Sequence, residues 1–207
     1  MAATPKTSTT RPAGSPPLRD RMRRAMRAEV GAVALRLFLE QGFDKTTVDQ
    51  IAAEAGLSRT SFFRYFGTKE DVVFGNLEEL GQQLVVAFAA RPEGEQPWES
   101  LRHTFDVIAE VNGDEPERAL NFARMLSETP SLKARHWEKQ LSWQNLLVPE
   151  VARRLRVGGA DAEDLRAHAL VASALACLDA AVDAWTASEG AVDFPLLLDT
   201  AMGALSE

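Results

Sequence analysis

The sequence predicts an all-α fold of about nine helices: a three-helix helix-turn-helix unit at the N-terminus and a larger helical domain after it. Three observations carry this. Apolar residues recur at helical spacing along most of the chain. Capping residues open the periodic runs, and Gly or Pro closes them. No segment shows the alternating pattern of a convincing strand, and there is no internal repeat. With 207 residues, 45% of them apolar, there is material for one or two small cores. The expected division is a disordered basic arm over residues 1–20, the helix-turn-helix domain over 21–67 and a second domain over 68–207.

The first 18 or so residues are rich in Pro, Ser, Thr and Gly and poor in large apolar side chains. Such a segment cannot bury enough surface to fold and is expected to be disordered. It also lacks the apolar run of a secretory signal.

Residues 47–70, TVDQIAAEAGLSRTSFFRYFGTKE, are the most informative stretch. Thr47 followed by Gln50 is a capping box. Val48, Ile51, Ala52 and Ala55 then share one helical face. Gly56 suits a left-handed C-cap. Ser58 can cap a second helix over Arg59 to Tyr65. Thr68 can cap a third, with Glu70 and Asp71 favourably placed in its first turn. The turn between the first two helices is only about three residues long, as in a helix-turn-helix. Phe62 and Phe66 lie four residues apart and are expected to pack inward. Arg59, Thr60, Phe63 and Tyr65 are then left outward or at the rim. Exposed aromatic and cationic groups suit a DNA groove: Arg can bond guanine edges, Thr and aromatic rings can touch thymine methyls, and Tyr and Lys can bond phosphates. The alternative reading is an ordinary helical hairpin of an all-α domain.

The run AVALRLFLEQGFDKTTVDQIAAEAGLSRTSFFRYFGTKEDVV resembles the N-terminal domain of the TetR family of bacterial repressors. The likeness lies in an amphipathic helix ending at Phe43, a T-x-x-x-I-A-x-x-A-G run and an S-x-x-x-F-F-x-Y-F-x-T-K-E run, and it covers about residues 25–75. The family usually has Tyr where this chain has Phe63, and a larger polar residue where it has Gly67. The resemblance implies that Thr47 bonds a phosphate, that Arg59, Thr60 and Phe63 reach base edges, and that Ser61, Tyr65 and Lys69 hold the DNA backbone. Arg64 is implied either to meet DNA or to pack over the domain surface.

Charge is polarised along the chain. The total is −7, yet residues 1–75 carry +4 and residues 76–207 carry −11. Local field matters more than the total for a partner as anionic as DNA. Arg19, Arg21, Arg23, Arg24 and Arg27 allow two readings: a basic arm that touches phosphates or enters the minor groove, or a solvated leader.

Beyond the helix-turn-helix, residues 68–90 read as one long linking helix and 91–97 as a loop. Helices follow over 97–111, 115–128 and 130–156, with Pro149 expected to kink or split the last of these. Gly158 and Gly159 should end it. An Ala-rich helix over 161–188 and a final helix from about Pro195 to 205 complete the chain. The lone Cys177 excludes an internal disulfide framework and is expected in a core or an interface. A reducing cytoplasm fits. No run of about 18 uninterrupted apolar residues exists, so no membrane span is expected.

In the last two helices, Ala169, Ala172, Ala174, Ala176, Ala180 and Ala181 allow close helix approach. Leu170, Leu175, Leu178, Val182 and Trp185 supply larger knobs, joined by Leu196, Leu197, Leu198, Met202 and Leu205. A homodimer through these two helices is expected, against the alternative that both are simply monomer core. The family resemblance points the same way. The middle region carries Trp98, Phe105, Phe122, Met125, Trp137, Trp143 and Trp185, with His103, Arg124, Arg135 and His136 as polar anchors. Any one Trp is better explained by core packing, but Phe105, Phe122, Arg124, Met125, Trp137, Trp143 and Trp185 together make an apolar effector pocket plausible. The ARMLSETPSLKARHWE stretch bears a slight resemblance to actinobacterial family members that sense hydrophobic or acyl-CoA-type effectors. The resemblance implies a regulator released from a palindromic operator by a small hydrophobic effector. No catalytic motif, cofactor motif or metal-ligand spacing is present, so no catalytic residue, cofactor or metal is expected.

Overall fold

The computed structural model describes residues 18–155 and 160–206. The described residues form ten α-helices: α1 Leu18–Gln41, α2 Val48–Glu54, α3 Arg59–Tyr65, α4 Lys69–Ala89, α5 Pro97–Thr104, α6 Asp106–Asp114, α7 Pro116–Glu128, α8 Pro130–Leu155, α9 Ala160–Ala187 and α10 Phe194–Gly203. The all-α expectation holds.

The helix-turn-helix is built by its caps. Thr47 and Gln50 form both halves of the capping box on α2. At the other end Gly56 has φ +67°, and the amides of Gly56 and Leu57 donate to the carbonyls of Ala53 and Ala52. That is a Schellman ending, which only a residue without a Cβ adopts cheaply. Ser58 caps α3, and Thr68 with Asp71 forms a second capping box on α4. Val30, Ala34, Phe38, Phe43, Ile51, Phe62, Phe66 and Phe74 fill a compact core, with Phe62 and Phe66 at 0% and 2% exposure as their spacing required.

Two residues from far down the chain complete that core: Met125 of α7 and Leu132 of α8 are buried in it, with Phe122 and Leu126 packed against it. The α7–α8 corner is therefore seated on the helix-turn-helix domain. From there α8 runs alongside α4 in the same direction. Arg135 meets Asp71, His136 meets Phe74, Trp143 meets Gly81 and Arg154 meets Phe88, each pair separated by 62 to 66 residues. The 68–90 helix expected to link the two domains does so together with α8. A second core joins α4, α5, α6, α8, α9 and α10 around Leu84, Phe88, Phe105, Trp143, Leu147, Leu178 and Trp185.

Several boundaries differ from expectation. Helix starts at Leu18, inside the stretch assigned to the arm, so the arginines from Arg19 to Arg27 stand on α1; residues 1–17 lie outside the described residues. The helix expected over 97–111 is broken at Phe105, whose buried ring pins the junction of α5 and α6. Pro149 does not split α8, which continues to Leu155 with Leu147, Val148 and Val151 buried on either side of it. Burial of that face outweighs the one backbone bond that Pro149 cannot make. The stop expected at Gly158 and Gly159 lies outside the described residues.

In α9, residues Leu165–Ala187 are long and apolar enough to cross a membrane by length and composition, although no 18-residue apolar run is uninterrupted. This helix packs on α5, α7, α8 and α10 within the chain, and 39% of an 18-residue apolar segment of it is buried there.

Candidate nucleic-acid interface and the helices that hold it

Six of the eight side chains singled out for DNA lie on or beside α3. Arg59, Thr60, Phe63 and Arg64 are exposed, whereas Ser61 and Tyr65 are half-buried. Phe62 and Phe66 anchor the opposite face, and the Phe63 ring stands edge-on to Phe62 at 5.5 Å while 43% exposed. Thr47, at the N-cap of α2, is exposed on the same unit.

Arg59 is exposed but engaged. Its Nη1 donates to both carboxylate oxygens of Asp49, at 2.7 and 2.8 Å, and its guanidinium lies 5.5 Å from the Phe63 ring centre. Asp49 was not singled out from the sequence. Its place in the first turn of α2 reads as dipole compensation, and only the tertiary approach of α3 brings Arg59 to it. Arg64 lies over the Tyr65 ring at 5.3 Å.

Lys69 is not a free phosphate ligand. Its Nζ donates to the carbonyls of Phe43 at 2.7 Å and Thr46 at 3.1 Å, and stands 4.0 Å from the Phe43 ring. Two of its three donors thus hold the α1–α2 turn against the start of α4. Arg27 is also a bracing residue rather than part of an arm. Its Nε and Nη2 donate to the Tyr65 carbonyl at 3.2 and 2.9 Å, closing the C-terminus of α3, and it lies over the Phe66 ring.

The start of α4 is held from below by α8. Arg135 donates to Asp71 Oδ1 through Nη2 at 2.6 Å and Nε at 3.2 Å, while Asp71 Oδ2 accepts from the Thr68 amide at 3.0 Å. Burial pushes the Asp71 carboxyl upward, but the bonds from Arg135 and Thr68 outweigh it, and its pKa lies below the ordinary value.

The expected effector-pocket residues do not form one site. Phe105, Trp143 and Trp185 are buried in the second core. Phe122 and Met125 belong to the helix-turn-helix core instead. Arg124 is half-buried and reaches Asn121 at 3.5 Å. Trp137 is 58% exposed on α8, beside exposed Leu141 one turn on. Helical spacing cannot tell which of two cores an apolar face will join, which is why these residues read as one group. Of the other anchors, Trp98 donates to the Met202 carbonyl and His103 faces Asp106. Arg135 serves Asp71, and His136 and Gln140 meet Asp179 between α8 and α9. Neither Gln140 nor Asp179 gave a signal in the sequence.

The last two helices divide their residues between the monomer core and a free face. Ala174, Leu175, Leu178, Ala181, Trp185, Leu198 and Met202 are buried within the chain, and Leu170, Val182 and Leu197 are half-buried. Ala169, Ala172, Ala176 and Ala180 are exposed along one side of α9, with Leu165 at 73%; Leu196 on α10 and Leu205 just beyond it are also open. Cys177 is buried and donates to the Ala201 carbonyl; burial raises its thiol pKa.

Comparison with known proteins fits this arrangement. Residues 32–74 match the family described as bacterial regulatory proteins, tetR family, and residues 95–207, more than half of the chain, match the MftR C-terminal domain. The HTH-type transcriptional regulator TcmR of Streptomyces glaucescens is 31% identical over 167 residues, covering 78% of this chain and 72% of its own. The chain belongs to the TetR family of transcriptional regulators. A second relative of this TetR-family protein, described as a putative mycofactocin biosynthesis transcriptional regulator, MftR of Mycobacterium tuberculosis, is 28% identical over 125 residues, covering 60% of this chain and 63% of its own. Among solved structures, the Thermus thermophilus FadR repressor in complex with lauroyl-CoA superposes with a TM-score of 0.56 at 25% identity, covering 87% of this chain and 93% of its own. A TetR-family regulator from Syntrophomonas wolfei shares the fold, with a TM-score of 0.61 at 16% identity over 88% of this chain and 94% of its own.

Proposed function

We propose that this TetR-family regulator is a homodimeric repressor that binds a palindromic operator and leaves it when a small hydrophobic effector enters the larger domain. The observation that carries the reading is the outward face of α3, where Arg59, Thr60, Phe63 and Arg64 are open to a partner while Phe62 on the other side is fully buried. Arg59, Thr60 and Phe63 would read base edges, and Thr47, Ser61 and Tyr65 would position the backbone. Arg64 would meet DNA or stay packed over Tyr65. Lys69 has one donor left for a phosphate and would act mainly by holding the N-terminus of α4 in place.

The exposed alanine side of α9, flanked by Leu196 and Leu205, is the surface through which two copies would pair. A dimer places two recognition helices about one DNA turn apart, roughly 34–36 Å. Since α4 and the root of α8 both seat on the helix-turn-helix domain, an effector that separates them would change that spacing. Release requires the effector to bind the DNA-free arrangement more tightly than the bound one. The FadR structure holds lauroyl-CoA, and two of the relatives come from Streptomyces and Mycobacterium, which supports an actinobacterial regulator of apolar metabolites. The working place of such a protein is the cytoplasm, and its chemistry is binding rather than catalysis.

Fluorescence anisotropy with an operator recovered from random duplexes tests the DNA reading. Arg59→Ala should narrow the gap between operator and scrambled DNA by about tenfold, the equivalent of one base contact of ~1–3 kcal/mol. Lys69→Ala should weaken both duplexes alike. Failure of the wild-type chain to enrich any palindrome would overturn the proposal.

A further inference from the structure

The last three helices form one layer. α8 and α9 run antiparallel: α8 ends at Leu155, α9 begins at Ala160, and His136 and Gln140 near the start of α8 meet Asp179 near the end of α9. α10 lies on the other flank of α9, where Cys177 Sγ donates to the Ala201 carbonyl. At about 100° per residue, Asp179 and Cys177 point in nearly opposite directions, which sets α9 between its two neighbours. Val171, Leu178 and Trp185 turn to one side of this layer and are buried in the second core. Ala169, Ala172, Ala176 and Ala180 turn to the other side, and all four are exposed.

Trp137 and Leu141 share that open side. Each follows by one position an α8 residue that meets Asp179, as Ala180 follows Asp179 itself. On antiparallel neighbours, a step of one residue turns both side chains toward the same side of the pair. Trp137 and Leu141 are each 58% exposed, and Leu165 at the other end of the alanine row is 73% exposed. The open side is thus a ridge of two large apolar groups on α8 beside a trough of alanines on α9, and none of these positions carries a charge. A charge-free apolar face of this kind, with an aromatic side chain on it, has the composition of the core of a protein–protein contact.

Two constraints name the occupant as a second copy of this chain. The ridge is continuous with the alanine side of α9, through which two copies would pair. Both recognition helices must also reach one duplex, so the two-fold axis has to run along the layer toward the helix-turn-helix domain. α9 has that direction, since it returns toward the root of α8 at Leu132. Rotation about such an axis lays α9 against its mate and sets α8 of one copy over α10 of the other. We propose that Trp137 and Leu141 extend the dimer interface from the last two helices onto α8, with the indole packed on the partner's α10 as an anchor of the pair. This rests on the homodimer reading above and adds a third helix to it. It also couples pairing to DNA binding, because Trp137 lies two residues from Arg135 and five from Leu132, which seat α8 on the helix-turn-helix domain.

Sedimentation equilibrium of the full chain tests it. The wild-type chain should dimerise, and Trp137→Ala should raise the dimer dissociation constant about tenfold or more, as truncation of an aromatic anchor does. Val86→Ala, at a side chain 69% exposed on α4, should leave it unchanged. A second readout does not depend on the alanine variant. The chain has four tryptophans, and the difference in fluorescence between wild type and Trp137→Phe isolates Trp137. Its quenching by acrylamide should fall as the chain is concentrated from monomer to dimer. A dimer whose dissociation constant is unmoved by Trp137→Ala, or in which Trp137 stays as open to acrylamide as in the monomer, overturns the α8 contact and leaves the homodimer reading intact. A chain that remains monomeric at every concentration overturns both.

Discussion

Gly81 of α4 lies directly against Trp143 of α8: a Cβ at position 81 would stand 2.6 Å from Trp143 Cδ1 and 2.8 Å from its Nε1. Trp143 is 4% exposed, and its ring has no room to yield. The glycine lets the indole pack directly on the backbone of α4, where the two helices that rise from the helix-turn-helix domain meet. Gly81→Ala should therefore force α4 and α8 apart and destabilise the fold by about 1–3 kcal/mol, despite the better helix propensity of Ala. Urea unfolding measures it, with Gly94→Ala, which meets nothing within 4 Å, as the control. Equal stability of the two variants would show that the contact is slack.

The clasp between Arg135 and Asp71 ties α8 to the N-cap of α4. Arg135 is 37% exposed and Asp71 20%, so solvent screening limits the pair to about 1 kcal/mol. A double-mutant cycle with Arg135→Gln and Asp71→Asn should return a coupling of that size at pH 7. Because the folded pKa of Asp71 is lowered, this coupling is present above the ordinary carboxylate value and fades as pH falls through the folded value. A cycle giving no coupling at neutral pH would mean that the clasp adds nothing to the apolar packing of α8 on α4.

The sequence was most legible where chemistry is local. Thr47 with Gln50, Ser58, Gly56 and Thr68 declare their caps within a few residues, and the four-residue spacing of Phe62 and Phe66 declares a buried face. It was least legible where partners are distant. Lys69 and Arg27 have the residue types of DNA contacts but close backbone carbonyls from 23 to 38 residues away. Phe122 and Met125 are apolar at helical spacing, which says that they are buried but not that they join the first core. Trp137 follows the same pattern and faces outward, since its neighbours His136 and Gln140 occupy the side of α8 that meets α9.

At the far end of the bundle, Glu95 accepts from Arg91 and from Ser100 Oγ at 2.6 Å, while Arg154 reaches the same hydroxyl and the carbonyls of Phe88 and Arg91. The Arg91 guanidinium, aided by Ser100, lowers the Glu95 pKa from 4.5 to about 2 against the opposing effect of burial. A depressed folded pKa means that the contribution is fully present above about 4.5 and is lost as pH falls to about 2. Glu95→Gln should remove that part of the acid dependence, so the wild-type and variant melting temperatures should converge across this window. Parallel curves would show that Glu95 is not coupled to folding.

The ion pair of Arg59 with Asp49 sits on the proposed DNA face, so Asp49 competes with DNA for the guanidinium and also repels phosphates. An exposed pair of this kind is worth up to about 1 kcal/mol. Asp49→Ala should tighten operator binding by up to about fivefold at low salt, and the gain should shrink as salt screens the lost charge. The double variant Arg59→Ala with Asp49→Ala should keep only the part due to phosphate repulsion, since no guanidinium remains to be freed. Anisotropy titrations of the three variants at two salt concentrations separate these contributions. Weaker binding by Asp49→Ala would mean that the carboxylate instead holds Arg59 in its base-reading pose, which reverses the role assigned to Asp49 while keeping Arg59 at the interface.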